Sequence, residues 1–223
     1  MNISSTTYLQ RCLSTTTLID ADHPSILTLR DKLSPGLLPT NHRELAIRFF
    51  YYVRDSISYR VTSEVAAKKF LIASETLKRG YGHCVAKATL LAALCRSAGI
   101  PTRFHFADLK NHQLTQSWVD LWGEKLLWHG YNEIWLDNKW IAANPSYDQR
   151  LCERHDYIPV EFDGINDALF PKTTKSGQLF VEYVHDHGVF SDIPFFRMGT
   201  TWMLYYYPRY ILHRNQNETK LAL

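Results

Sequence analysis

The sequence predicts an α+β protein in which a buried central helix packs on an antiparallel β-sheet. Three observations carry this. Residues 85–98 are apolar nearly all round, as a helix is when it lies inside a core. Three later stretches read as strands: residues 102–109 set Phe104 and Phe106 against polar neighbours, residues 129–136 alternate and are rich in aromatic and β-branched side chains, and residues 139–144 form a return strand stopped by Pro145. Finally, the strands follow the helices and do not alternate with them, which favours an antiparallel sheet over a parallel one.

Taken in order, residues 1–40 form an N-terminal segment with a short helix over 25–33. Residues 41–223 form one domain with a C-terminal extension. Asn41-His42-Arg43-Glu44 fits a capping box and starts a helix through about Asp55, with Leu45, Phe49, Phe50 and Val53 on its buried face. Residues 57–61 read as a short strand. Residues 66–73 and 75–79 read as helical, with Ser74 as a cap and Gly80 as a stop. Gly99 and Pro101 end the central helix. Asp137-Asn138 fits a tight turn, because both residues tolerate left-handed backbone angles. A two-residue loop there pairs Leu136 with Lys139 and Tyr131 with Asn144, whereas a three-residue loop would change the register. The aromatic run 202–212 reads as a helix packed on the core.

Chemistry concentrates at Gly80-Tyr81-Gly82-His83-Cys84. A cysteine that follows a glycine turn and opens a helix feels the positive end of the helix dipole, which favours thiolate. The thiolate is the nucleophile, so a base and an orienting group are sought downstream. Side chains alternate faces along a strand, so His129 and Tyr131 share a face with Asn144, the diagonal neighbour of His129. Cys84, His129 and Asn144 then form a cysteine acyl-transfer triad, in which the Asn144 amide accepts a hydrogen bond from the imidazole.

Residues 81–106 (YGHCVAKATLLAALCRSAGIPTRFHF) and 129–148 (HGYNEIWLDNKWIAANPSYD) resemble the core of the transglutaminase-like superfamily, a papain-like cysteine acyl-transfer fold. Its members show Gly-x-Cys before a helix, an Arg-x-x-Gly-Ile-Pro-x-Arg strand entry, a His on one strand, and Trp followed by Asp-Pro on the next. The resemblance runs from about Tyr52 to Asp148. It implies acyl transfer through a thioester at Cys84, with peptide or protein substrates and no cofactor or metal. Water as acceptor gives a peptidase or amidase, which is the expectation here; an amine gives a cross-linker. The sequence departs from the family at Asn144, where Asp is usual. Asp148 is therefore an alternative third member, and a catalytically degenerate module that binds peptides is the rival class.

Composition bounds the rest. The net charge of +3 is small and the basic residues are scattered, which gives no nucleic-acid footprint. Cys12, Cys84, Cys95 and Cys152 contain no Cys-x-x-Cys pair, so four reduced thiols in a cytoplasmic setting are expected. Cys95 belongs to core packing. Residues 1–20 lack the apolar region of a secretory signal, and no stretch reaches transmembrane length. His105, His112, His185 and His187 fall in no zinc-ligand spacing and read as hydrogen-bonded histidines. Trp118, Trp122, Trp128 and Trp135 cluster near the His129 strand, where one could wall an acyl pocket.

Overall fold

The computed structural model of the chain describes residues 5–62 and 67–221. Helices α1 (Ser5–Arg11) and α2 (Pro24–Leu33) come first. Proline opens α2, where its missing N–H leaves no helical bond unmade, and the His23 imidazole accepts from the Ser25 N–H at 3.3 Å. Leu18, Ile19, Ile26 and Leu29 sit in the same hydrophobic cluster as the central helix. Helix α3 (His42–Ser56) starts where the capping signal placed it, with Asn41 Oδ1 accepting from the Glu44 N–H. Its four predicted core residues are all buried.

The predicted strand over 57–61 shrinks to β1 (Ser58–Tyr59), which pairs in parallel with the equally short β2 (Tyr81–Gly82). The predicted helix over 66–73 is a 3-10 turn, Lys68–Leu71; residue 66 lies outside the described residues. Ser74 is not a cap. It lies inside α4 (Ala73–Arg79), and its N–H is taken by Asp20 Oδ1 at 3.1 Å, so the capping group comes from 54 residues upstream. Gly80 stops α4 in the left-handed conformation, φ 71°.

Helix α5 (Cys84–Ser97) is the central helix, with every residue from 85 to 96 buried. Leu90, Leu91 and Leu94 are wholly enclosed, and burial of each contributes about 1.5–3 kcal/mol. After it come β3 (Thr102–Asn111), α6 (Gln116–Trp122), β4 (Lys125–Leu136), β5 (Lys139–Ala143), α7 (Gln149–Arg154), β6 (Val181–Phe190) and α8 (Phe195–Leu221). The sheet is antiparallel in the order β5-β4-β3-β6. Asp137 and Asn138 both have positive φ (48° and 64°), and Leu136 pairs with Lys139 as the two-residue turn requires. Asn132 pairs with Ala143, which sets Tyr131 level with Asn144.

Two contacts fix α5 on β4. Asn132 Nδ2 donates to the Ala88 carbonyl at 3.0 Å. Gly130 lets the head of the helix approach: a Cβ there would lie 2.8 Å from the Phe106 ring and 3.2 Å from Val85. That approach sets Cys84 beside the strand that carries His129. The aromatic C-terminal run is helical as expected, and α8 continues through Pro208. No described helix is long and apolar enough to cross a membrane.

Candidate active site

Cys84 is the first residue of α5, and His83 is its N-cap. The cap is the imidazole itself: Nδ1 accepts from the Val85 N–H at 3.1 Å. The His83 ring lies flat on Phe70 and edge-on to Trp202. Cys84 Sγ lies 3.9 Å from His83 Nδ1 and faces the backbone N–H groups of Gly130 and Val85.

Two effects oppose each other at the Cys84 thiol. Burial pushes the Cys84 thiol up to about 11, although the N–H groups of Gly130, Val85 and Cys84 itself pull the other way. The magnitudes explain the sign. A helix terminus contributes about 0.3–1 kcal/mol, less than one pKa unit, whereas desolvation reaches about 3–5 units for a fully enclosed group and still exceeds the dipole at the partly buried Cys84.

His129 is buried and lines the same cleft as Cys84. Burial, with repulsion from His83 second, lowers it to about 3. Its ring packs against Phe170 and Tyr131, and its Nε2 has no hydrogen-bond partner among the described residues. Among the described residues no hydrogen bond joins it to Cys84. Burial thus favours the uncharged form of both the Cys84 thiol and the His129 imidazole.

Asn144 is fully buried at the end of β5. Its Oδ1 accepts the Ser146 N–H at 3.3 Å and the Ser146 hydroxyl at 2.5 Å, an Asx turn around Pro145. Both lone pairs of that oxygen are therefore occupied, and Nδ2 is left buried without a partner. Asp148 caps α7 through the Leu151 N–H at 2.9 Å and holds the Tyr59 N–H at 2.8 Å, so its two oxygens tie α7 to β1. Ser146 was missed in the sequence; Asn-Pro-Ser is the signal that could have found it.

Ahead of His129, Trp128 has φ 57°, a strained conformation for so large a residue. Three contacts hold it. Asp108 Oδ1 accepts its N–H at 2.9 Å, the His187 ring stacks on the indole at 3.9 Å, and His187 Nε2 bonds the same Asp108 oxygen at 2.7 Å. Asp108→Ala is expected to cost roughly 1–3 kcal/mol, read by denaturant unfolding, and to change the near-ultraviolet circular dichroism of the tryptophans. An unchanged unfolding midpoint would mean that the backbone at Trp128 needs no such support.

His105 and His112 pair with carboxylates across the sheet, while the His185 ring meets His187 edge-on. His105 bridges Glu133 and Asp186, each at 2.7 Å, and His112 meets Glu182 at 2.6 Å. Trp118 and Trp122 line the cleft, Trp128 is in the core, and Trp135 packs on Trp140. Cys12, Cys95 and Cys152 are buried free thiols.

A family profile described as the transglutaminase-like superfamily matches residues 32–145, and the chain belongs to that superfamily. Among solved structures, the chain is similar to a candidate cysteine protease from Cytophaga hutchinsonii. The identity is 15% and the TM-score 0.52, over 86% of this chain and 49% of that one. A candidate protease from Parabacteroides distasonis gives 16% identity over 63% of this chain and 26% of that one, with TM-score 0.43. The periplasmic domain of TgpA from Pseudomonas aeruginosa gives 20% identity over 64% and 48%, with TM-score 0.40. The chain therefore spans about half the length of the first of these proteins and shares its fold. No curated protein matches the chain.

Proposed function

We propose that the chain is a cysteine hydrolase or acyltransferase that acts on peptide or amide bonds through a thioester at Cys84. The observation that carries this reading is the shared cleft: Cys84 and His129 both line it, and the Gly130 N–H sits against the sulfur. With both groups neutral at rest, His129 acts as a general base during attack and not as half of a standing ion pair. The Cys84 sulfur bonds to the carbonyl carbon while its proton passes to His129. The carbonyl oxygen takes the negative charge, stabilised by backbone N–H groups at the head of α5, that of Cys84 first. The proton then goes to the departing amine as the C–N bond breaks. Water repeats the sequence to free the acid. Asn144 is assigned the positioning role beside His129, with Asp148 the alternative. Four free, widely spaced cysteines suit a reducing setting, for which we propose the cytoplasm.

One observation favours the rival reading of a peptide-binding module: the Asn144 oxygen that would orient His129 is held by Ser146. The two readings part on one experiment. The protein is incubated with an activated acyl donor, N-acetyl-phenylalanine p-nitrophenyl ester, and followed by intact and peptide mass. An enzyme shows a transient acyl adduct confined to Cys84. Asn144→Ala lowers turnover, and Asn144→Asp keeps or raises it, because a carboxylate favours the imidazolium. Absence of any Cys84 adduct in the folded protein would leave only the binding module.

A further inference from the structure

The cleft above Cys84 has a composition that the acyl-transfer chemistry does not require. Its enclosed space is about 70 Å³, room for one side chain and not for a whole small molecule, and it opens to solvent. Trp118 and Trp122 of α6, Leu126 and Leu127 of β4, and Trp202 and Tyr206 of α8 form its walls. Among the described residues no Asp, Glu, Lys or Arg lines it.

The polar atoms of the α8 wall are turned to the backbone. Trp202 Nε1 donates to the Leu127 carbonyl at 2.9 Å, and the Tyr206 hydroxyl accepts the Leu127 N–H at 2.7 Å and donates to the Lys125 carbonyl at 3.2 Å. These bonds satisfy the start of β4 and fix the two rings as apolar surface. Trp122 meets Tyr206 edge-on at 5.8 Å, which joins α6 to α8. Helix α8 lies outside residues 32–145, so two of these six wall residues, Trp202 and Tyr206, are not part of the matched family core.

We propose that this cleft is the acyl-side pocket and that it selects donors with a bulky aromatic or branched aliphatic side chain beside the reacting carbonyl. The proposal rests on the function assigned above for its acyl step. Cys84 and the aromatic rings line one cleft, so a carbonyl held at the sulfur directs its neighbouring side chain among the rings. An aromatic side chain brings a large apolar surface into that space. A carboxamide or carboxylate placed there loses its hydrogen bonds to water and finds no charged partner.

Four N-acetyl amino acid p-nitrophenyl esters, of Phe, Leu, Ala and Gln, test this by nitrophenolate release with the adduct mapped to Cys84. Phe and Leu donors are expected to exceed Ala and Gln by roughly 10–100-fold in kcat/KM. Trp118→Ala should lower the Phe rate by about tenfold and leave the Ala rate nearly unchanged. Leu126→Arg, a change at a half-buried position, should transfer preference to a fifth donor, the corresponding N-acetyl-glutamate p-nitrophenyl ester. Binding is read separately in Cys84→Ala protein, from indole N–H shifts on titration with N-acetyl-phenylalaninamide and N-acetyl-glutaminamide. Acylation of Cys84 without apolar preference overturns the pocket and leaves the enzyme. Apolar preference in binding with no acylation upholds the pocket and overturns the enzyme. Equal binding of the two amides with no acylation overturns both.

Discussion

His129→Ala is expected to lower acyl transfer by about 10²–10⁴-fold, because His129 is the base assigned to the Cys84 proton, and His83 Nδ1, though 3.9 Å from the sulfur, already accepts the Val85 N–H. The same substitution is expected to leave the alkylation of Cys84 by iodoacetamide almost unchanged. A standing thiolate–imidazolium pair would behave differently, since removing the imidazolium would raise the thiol pKa and slow alkylation at neutral pH. Here the thiol is pushed up to about 11 and the imidazole down to about 3, both by burial, so there is no ion pair to lose. Two consequences are measurable. Cys84 should be labelled first among the four cysteines through its access to the cleft, with a rate that climbs past the free-thiol value of about 8.5. The kcat/KM profile should carry no ionisation of this pair between about 3 and 11. A labelling midpoint below 8.5 that moves up in His129→Ala would overturn the neutral pair and restore the charged one.

This outcome shows which parts of the molecule are written locally. Asn41 caps α3 and Asp137-Asn138 turns the hairpin because each acts on backbone within three residues of itself, so sequence alone places them. The register of Tyr131 and Asn144 follows from that turn. The cap of α4 is not local: it comes from Asp20, brought there by tertiary packing, and Ser74 next to it offered a misleading alternative. Strand β6 was missed because most of it is exposed and the polar run His185-Asp186-His187 interrupts any apolar alternation. The balance at Cys84 was not legible for a related reason. The dipole of α5 is readable from a glycine, a cysteine and an apolar run, but the desolvation that exceeds it comes from residues far apart in the chain. Asp148 illustrates the same limit, since its proximity to Asn144 in sequence does not show that Tyr59 holds one of its oxygens.

Replacing Lys87 by methionine is expected to change how stability depends on pH. Lys87 lies one turn beyond Cys84, fully buried, with Nζ donating to the Arg54 carbonyl at 2.9 Å. Burial lowers it to about 7, with Asp148 and Asp55 opposing that fall. In the unfolded chain the same amine keeps its proton to about 10.5. Between these values the unfolded chain binds more protons, so the wild-type fold gains stability as pH rises. Below 7 both states are protonated and the burial penalty, roughly 3–5 kcal/mol, is present in full. Methionine carries no such penalty but leaves the Arg54 carbonyl short of a donor, a roughly constant loss of about 1 kcal/mol. The variant should therefore be the more stable protein at pH 6–7, and its advantage should shrink steadily to pH 10, as measured by urea unfolding of the two proteins in the same buffers. Taking the difference cancels the cysteines and tyrosines, which both chains share and which titrate in the same alkaline range. A difference that stays constant from pH 7 to 10 would mean that Lys87 remains charged in the fold, held by Asp148 and Asp55. The carboxylate that ties α7 to β1 would then also be the counter-ion of the catalytic helix.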